Sequence, residues 1–153
     1  MCMTSKIFLD SSILVESTKG SKTELYDYLV SRNDYEKCIS QIVLSEYTFY
    51  LLIIEDGKAP LTLKRDGAIS NVIEQHNPVS FLTELTFLEP GPDVILLYLQ
   101  LMRQYNLLPN DALILATCKL NGIGQIASYD ADFIAACAGE GIQLVQSITD
   151  LTD

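Results

Sequence analysis

The chain predicts an α/β fold, a three-layer α/β/α sandwich around a mainly parallel central sheet. Two observations point to the layers: short apolar runs alternate with stretches of helical period, and those runs are continuous rather than alternating in polarity, as in strands covered on both faces. A third concerns extent. No internal repeat, low-complexity segment or interdomain linker interrupts the 153 residues, so a single domain over 1–153 is expected. At 48% hydrophobic residues a chain of this length can bury about two thirds of its unfolded surface.

Residues 6–10 form an apolar run ending in an acid and read as a buried strand with Asp10 at its carboxyl end. Ser11 and Ser12 stand where they would cap a helical segment from Ile13. A second helix is expected over 22–31, with Leu25, Tyr28 and Leu29 on one face, and a second strand over 37–40. Residues 41–55 have helical period. Gln41, Ser45 and Thr48 make their polar stripe, while Glu46 lies in line with Ile42, Tyr50 and Ile53. A carboxylate there needs a partner, because unpaired burial is costly. A helix over 61–75, a strand over 85–88 and a helix over 93–105 follow, and Arg103 complements the dipole of that last helix.

Residues 107–133 organise the rest. Pro109 suits the first turn of a helix. The run 112–118 is apolar on every face and predicts burial on several sides. Asn121-Gly122 stops the helix, with Gly122 able to take a left-handed cap. A helix over 110–121 runs ~18 Å, and the strand over 124–127 with its exit retraces ~15 Å. Asp111 and Asp130 should therefore end up at the same end of the layered domain. A short helix follows Asp132, Gly139-Glu140-Gly141 turns the chain, and 142–145 is the last strand.

Several function classes lose support. No apolar run approaches the ~20 residues needed to cross a bilayer, and residues 1–6 lack the form of a signal peptide. A cytoplasmic protein is expected. Cys2, Cys38, Cys118 and Cys137 are scattered without a Cys-x-x-Cys pair, so neither a zinc site nor a disulfide framework is supported. The net charge of −10 argues against a broad basic nucleic-acid footprint, though not against a nucleic acid held through metal ions.

Four acids occupy comparable places: Asp10 at a strand end, Glu46 one turn into the next helix, Asp111 at a helix start and Asp130 at a strand exit. Taken singly, each has a plainer role. Asp10 suits a turn or cap, Glu46 can reach solvent or a lysine, and Asp130 or Asp132 can cap the helix that follows. Those roles do not explain why all four fall at one end of the sheet. Two carboxylates ~4 Å apart repel by ~4 kcal/mol at an effective dielectric of ~20, so a cluster needs protons or cations. An all-oxygen donor set favours Mg²⁺ or Mn²⁺.

Four segments, IFLDSSIL, SQIVLSEYTFYL, LLPNDALILATCKLNG and IASYDADF, together resemble a PIN-domain protein across nearly the whole chain. The most specific parts are Asp-Ala-x-Ile-x-Ala-Thr around Asp111 and Ser-x-Asp-x-Asp-Phe around Asp130. The resemblance is to the toxin-type ribonucleases of the virulence-associated toxin–antitoxin family. It implies Mg²⁺- or Mn²⁺-dependent endoribonuclease cleavage of RNA phosphodiesters, with Asp10, Glu46, Asp111 and Asp130 as catalytic, metal-binding acids. Ser12 and Ser128 match hydroxyl positions beside the first and last acids, and Asp132 a supporting acid. RNA and an antitoxin protein are the implied partners.

The basic candidates for RNA are Lys64, Arg65, Arg103 and Lys119. Leu14, Leu25, Leu29, Phe49 and Leu52 suggest surplus apolar surface, hence a homodimer and a groove for an antitoxin peptide. The alternative is a PIN fold that binds RNA or protein without cutting. An aspartyl phosphatase would want a second Asp at position 12, and a receiver module would want a lysine at the end of a late strand; the chain has neither.

Overall fold

The computed structural model describes residues 4–152; Cys2 lies outside them. Strands β1 (Ser5–Leu9), β2 (Tyr35–Ser40), β3 (Thr86–Leu88), β4 (Gln125–Ala127) and β5 (Gln143–Val145) form one sheet in the order β3-β2-β1-β4-β5. Each of its pairings is parallel. Ile7, Phe8 and Leu9 are all fully buried. Consecutive strand residues point to opposite faces, so β1 is covered on both, as its unbroken apolar run requires. The chain steps outward from β1 to β3, then crosses back to place β4 on the other side of β1. That reversal is a topological switch point, where open α/β sheets leave a crevice beyond the carboxyl ends of their strands.

The helices are α1 (Ser11–Lys19), α2 (Glu24–Val30), α3 (Gln41–Asp56), α4 (Pro60–Arg65), α5 (Ile69–His76), α6 (Val79–Leu82), α7 (Val94–Tyr105), α8 (Pro109–Leu120) and α9 (Phe133–Glu140), with a closing 3₁₀ turn at Ile148–Leu151. Together with the sheet they form the α/β/α arrangement. Helix α1 packs against α3, α7 against α8, and α3 also meets α8. Tyr47, Phe8 and Phe133 are the largest fully buried side chains. Helix α8 starts on Pro109 and buries Ala112, Ile114, Leu115, Ala116, Thr117 and Cys118. Gly122 then takes φ +65°, and the Ile123 N–H donates to the Cys118 carbonyl at 2.9 Å. Cys38, Cys118 and Cys137 are buried free thiols. Burial pushes Cys38 and Cys137 up to about 11 and Cys118 well above its ordinary value, so they behave as small hydrophobes. Among the described residues no helix is long and apolar enough to cross a membrane.

The structure corrects several sequence expectations. Asp10, not Ser11 or Ser12, is the N-cap of α1, and both serines lie inside the helix. The single helix expected over 61–75 is two, α4 and α5, separated by Gly67 at φ +66°. That left-handed conformation ends a helix, and glycine adopts it without strain. The short helix α6, which begins just after Pro78, was not anticipated. Helix α9 runs through Gly139, and the turn falls at Gly141, φ +68°. Leu14, Leu25 and Leu29 are consumed by the chain's own core, so they offer no surplus surface. Of the five apolar residues expected at a partner face, only Phe49 is mainly exposed, at 53%.

Candidate functional site

At the switch point, hydrogen bonds continue the sheet past the ends of β1 and β4, on either side of β4. The Asp10 N–H donates to the Ala127 carbonyl at 3.0 Å, and the Ser128 N–H to the Val145 carbonyl at 3.1 Å. Asp10 is therefore fixed at the last rung of the sheet, with only 5% of its surface exposed. Its Oδ2 accepts from the Ser12 hydroxyl at 2.6 Å, the Ser128 hydroxyl at 2.7 Å and, at 3.4 Å, the Ser12 N–H. These bonds leave Oδ1 available to a ligand.

The same hydroxyls reach the opposite exit. Ser12 Oγ accepts from the Tyr129 N–H, and Ser128 Oγ from the Asp130 N–H, each at 3.0 Å. Two serines thus clip the β1–α1 junction to the loop after β4. Asp130 Oδ1 accepts from the Asp132 N–H at 2.9 Å. Asp132 makes no side-chain cap to α9, so the capping role considered for it is not used.

Glu46 sits one turn into α3 and has the partner its position demanded. The Ser11 hydroxyl donates to its Oε2 and the Asn110 amide to its Oε1, both at 2.7 Å. Asn110 precedes Asp111 at the start of α8, so one residue steadies Glu46 and the next presents a carboxylate. Asp10, Glu46, Asp111 and Asp130 line one cavity of about 280 Å³. Asp111, Asp130 and Asp132 bring carboxylate oxygens within 4.8 Å of one another.

The electrostatics follow from that crowding. Burial, then the charges of Asp130, Asp10, Glu46 and Asp132, push the Asp111 carboxyl up to about 6. Two bare carboxylates at that spacing repel by about 3.5 kcal/mol at an effective dielectric of 20. A cation relieves the repulsion, and the cavity's titratable lining carries neither His nor Cys. An all-oxygen donor set of this kind fits a hard divalent ion.

The cavity also contains residues that the sequence did not point to: Ser11, Val15, Glu16, Lys19 and Tyr50. Asn110, beside it, was missed as well. Adjacency to Asp10 and Asp111 was the available signal for Ser11 and Asn110, and helical spacing from Glu46 the signal for Tyr50. Of the basic candidates, Lys64, Arg65, Arg103 and Lys119 are not among the lining residues. Lys119 is paired with Glu140, and Arg65 with Asp66 at 3.2 Å.

Comparison with known proteins gives the family and the fold. Ribonuclease VapC2 of Methanocaldococcus jannaschii is 31% identical over 130 residues, covering 84% of this chain and 87% of the relative. Among solved structures, a toxin–antitoxin complex from Klebsiella pneumoniae aligns with TM-score 0.58 at 21% identity, over 84% of this chain and 90% of the other. PAE2754 from Pyrobaculum aerophilum aligns over 100% of both chains with TM-score 0.62 at 15% identity. At those identities the structural likeness is one of fold. The model of the PIN domain matches residues 7–139, a span that includes all four converging acids, and the chain belongs to the PIN-domain family.

Proposed function

We propose that this protein is a divalent-metal-dependent endoribonuclease and the toxin of a toxin–antitoxin pair, folded as a single domain in the cytosol. The observation that carries the reading is the meeting of Asp10, Glu46, Asp111 and Asp130 in one cavity, with the Asp111 carboxyl pushed up to about 6 by its surroundings. The kinship to Ribonuclease VapC2 supplies the substrate class. Asp10, Glu46, Asp111 and Asp130 would hold Mg²⁺ or Mn²⁺, with Asp132 in support. Bound there, the ion supplies a lowered water pKa and a positive charge against the departing oxygen.

The chain's own residues prepare that chemistry. Ser12 and Ser128 fix Asp10 Oδ2, so that Oδ1 serves the ligand. Ser11 and Asn110 fix both oxygens of Glu46. Hydrolysis adds a water oxygen to phosphorus, breaks one P–O bond and returns a proton to the departing oxygen; no side chain need be a nucleophile. Purified protein should cut single-stranded RNA in Mn²⁺ and cease in EDTA. Cutting that persists in EDTA, or in the Asp10→Asn/Asp111→Asn double variant, would sink the metal reading.

The net charge of −10 favours a second reading, a PIN fold that retains RNA or protein without cutting. It would appear as RNA binding in Mn²⁺ with the RNA recovered intact. An antitoxin protein is the partner we assign, by analogy with the toxin–antitoxin complex that shares the fold. A homodimer is the assembly we assign. Its support is no longer the early leucines but α7, where Ile95, Leu96 and Leu99 are 63%, 81% and 48% exposed. Clustered exposed apolar surface of this kind marks association sites.

A further inference from the structure

Helix α1 begins just after Asp10, α3 carries Glu46 one turn in, and the two pack side by side, so that both line the cavity. On α1 its wall passes from Ser12 through Val15 and Glu16 to Lys19, about two turns or ~10 Å of helix. On α3 it passes from Glu46 to Tyr50, four residues and one turn onward on the same face. Lys19 is the sole cation among the lining residues. Its ammonium lies 3.1 Å from Glu16 Oε1, and Glu16 is itself held by the Ser21 hydroxyl at 2.5 Å, which steadies the Lys19 side chain. Tyr50 is 45% exposed, and its ring is braced edge-on by Phe49, with ring centroids 6.4 Å apart. An aromatic face presented in an acid-lined groove is unsuited to phosphate, but it suits an unstacked base.

We propose that Tyr50 and Lys19 are substrate-positioning residues: Tyr50 stacks an unpaired base next to the cut site, and Lys19 meets the neighbouring phosphate. This rests on the ribonuclease reading above. It explains how a strongly acidic chain holds RNA, by its bases more than by its backbone. A stacked base is accepted whatever its identity, because every base has a π-face. With one cation engaged, the logarithm of affinity should fall with the logarithm of salt at a slope of about −0.7, or roughly 2.6-fold between 50 and 200 mM.

The test uses the full chain and a single-stranded oligoribonucleotide carrying 2-aminopurine, whose fluorescence is quenched on stacking. Binding is read in the Asp111→Asn background, so that the RNA stays whole. Adding Tyr50→Leu should weaken binding about tenfold and abolish the quenching, while Tyr50→Phe should stay within twofold. Adding Lys19→Gln should flatten the salt slope. In the otherwise wild-type enzyme, Tyr50→Leu should raise KM more than it lowers kcat. If wild type cleaves RNA while Tyr50→Leu changes neither quenching nor KM, the positioning role is overturned and the ribonuclease reading stands. If wild type cleaves no RNA, both fall. If Tyr50→Leu instead dissociates a dimer and leaves RNA affinity unchanged, the ring belongs to a protein interface and the proposal is wrong.

Discussion

Asp111 titrates near 6 against an ordinary 3.8, because burial and four neighbouring acids disfavour its charge. The folded chain therefore holds that proton more tightly than the unfolded chain. The contribution is favourable below about pH 4 and is lost as pH rises through 6. In metal-free buffer at pH 7–8, Asp111→Asn should melt above wild type, by on the order of 1 kcal/mol once solvent screening is allowed for, and the gap should close toward pH 4. This gain outweighs or balances the ~0.3–1 kcal/mol of dipole stabilisation that the charge provides in the first turn of α8. With Mn²⁺ at about 100 times its Kd, wild type should gain ~2.7 kcal/mol and the variant much less. Equal metal shifts in the two proteins would remove Asp111 from the site. Ser128→Ala tests the clip between the two strand exits. Losing a buried hydroxyl that donates to Asp10 and accepts from the Asp130 N–H should cost about 1–2 kcal/mol and weaken Mn²⁺ binding about tenfold in calorimetry; an unchanged affinity would make the hydroxyl purely structural. The acids could be read from the chain because each sits at a strand end or helix start, places that topology brings together. Lys19 could not, since the contact between α1 and α3 that brings it to the cavity has no local signature, while Tyr50 offered only its helical spacing from Glu46.

At the scale of elements, strands and long helices were legible because apolar runs and helical periods are local. The breaks were harder to see: one glycine at +66° divides α4 from α5, while Gly139 stays helical within α9. Packing explains Gly139. A Cβ there would lie 2.3 Å from the hydroxyl of Tyr105. That hydroxyl accepts from the Gln104 amide at 2.9 Å and donates to Glu140 Oε1 at 2.7 Å, and Glu140 also takes Lys119. The ends of α7, α8 and α9 are therefore tied at one point. Gly139→Ala should destabilise by about 1–3 kcal/mol through overpacking. In a Tyr105→Ala background most of that loss should vanish, a coupling that urea denaturation of the four proteins would measure. Additive losses would mean that the ring is not what requires glycine.

For the whole molecule, assembly and charge make separate predictions. If the exposed face of α7 joins two copies, sedimentation at micromolar concentration should give a dimer, and Leu96→Glu should give a monomer whose melting temperature no longer depends on protein concentration. A wild-type monomer across that range would withdraw the dimer. The sheet order has a further consequence. Asp10 and Ser128, hydrogen-bonded in the cavity, stand 118 positions apart, and β1 gains β4 as its neighbour only after the intervening helices and strands have been laid down. Contacts of such separation form late, after the loop-closure entropy of the whole intervening chain has been overcome. During synthesis, a nascent polypeptide that ends before Gln125 lacks β4, Ser128 and Asp130, and so it cannot assemble the pocket. If the pocket is the nuclease centre, a translation product that stops before Gln125 carries no such centre, because Ser128 and Asp130 have yet to be added.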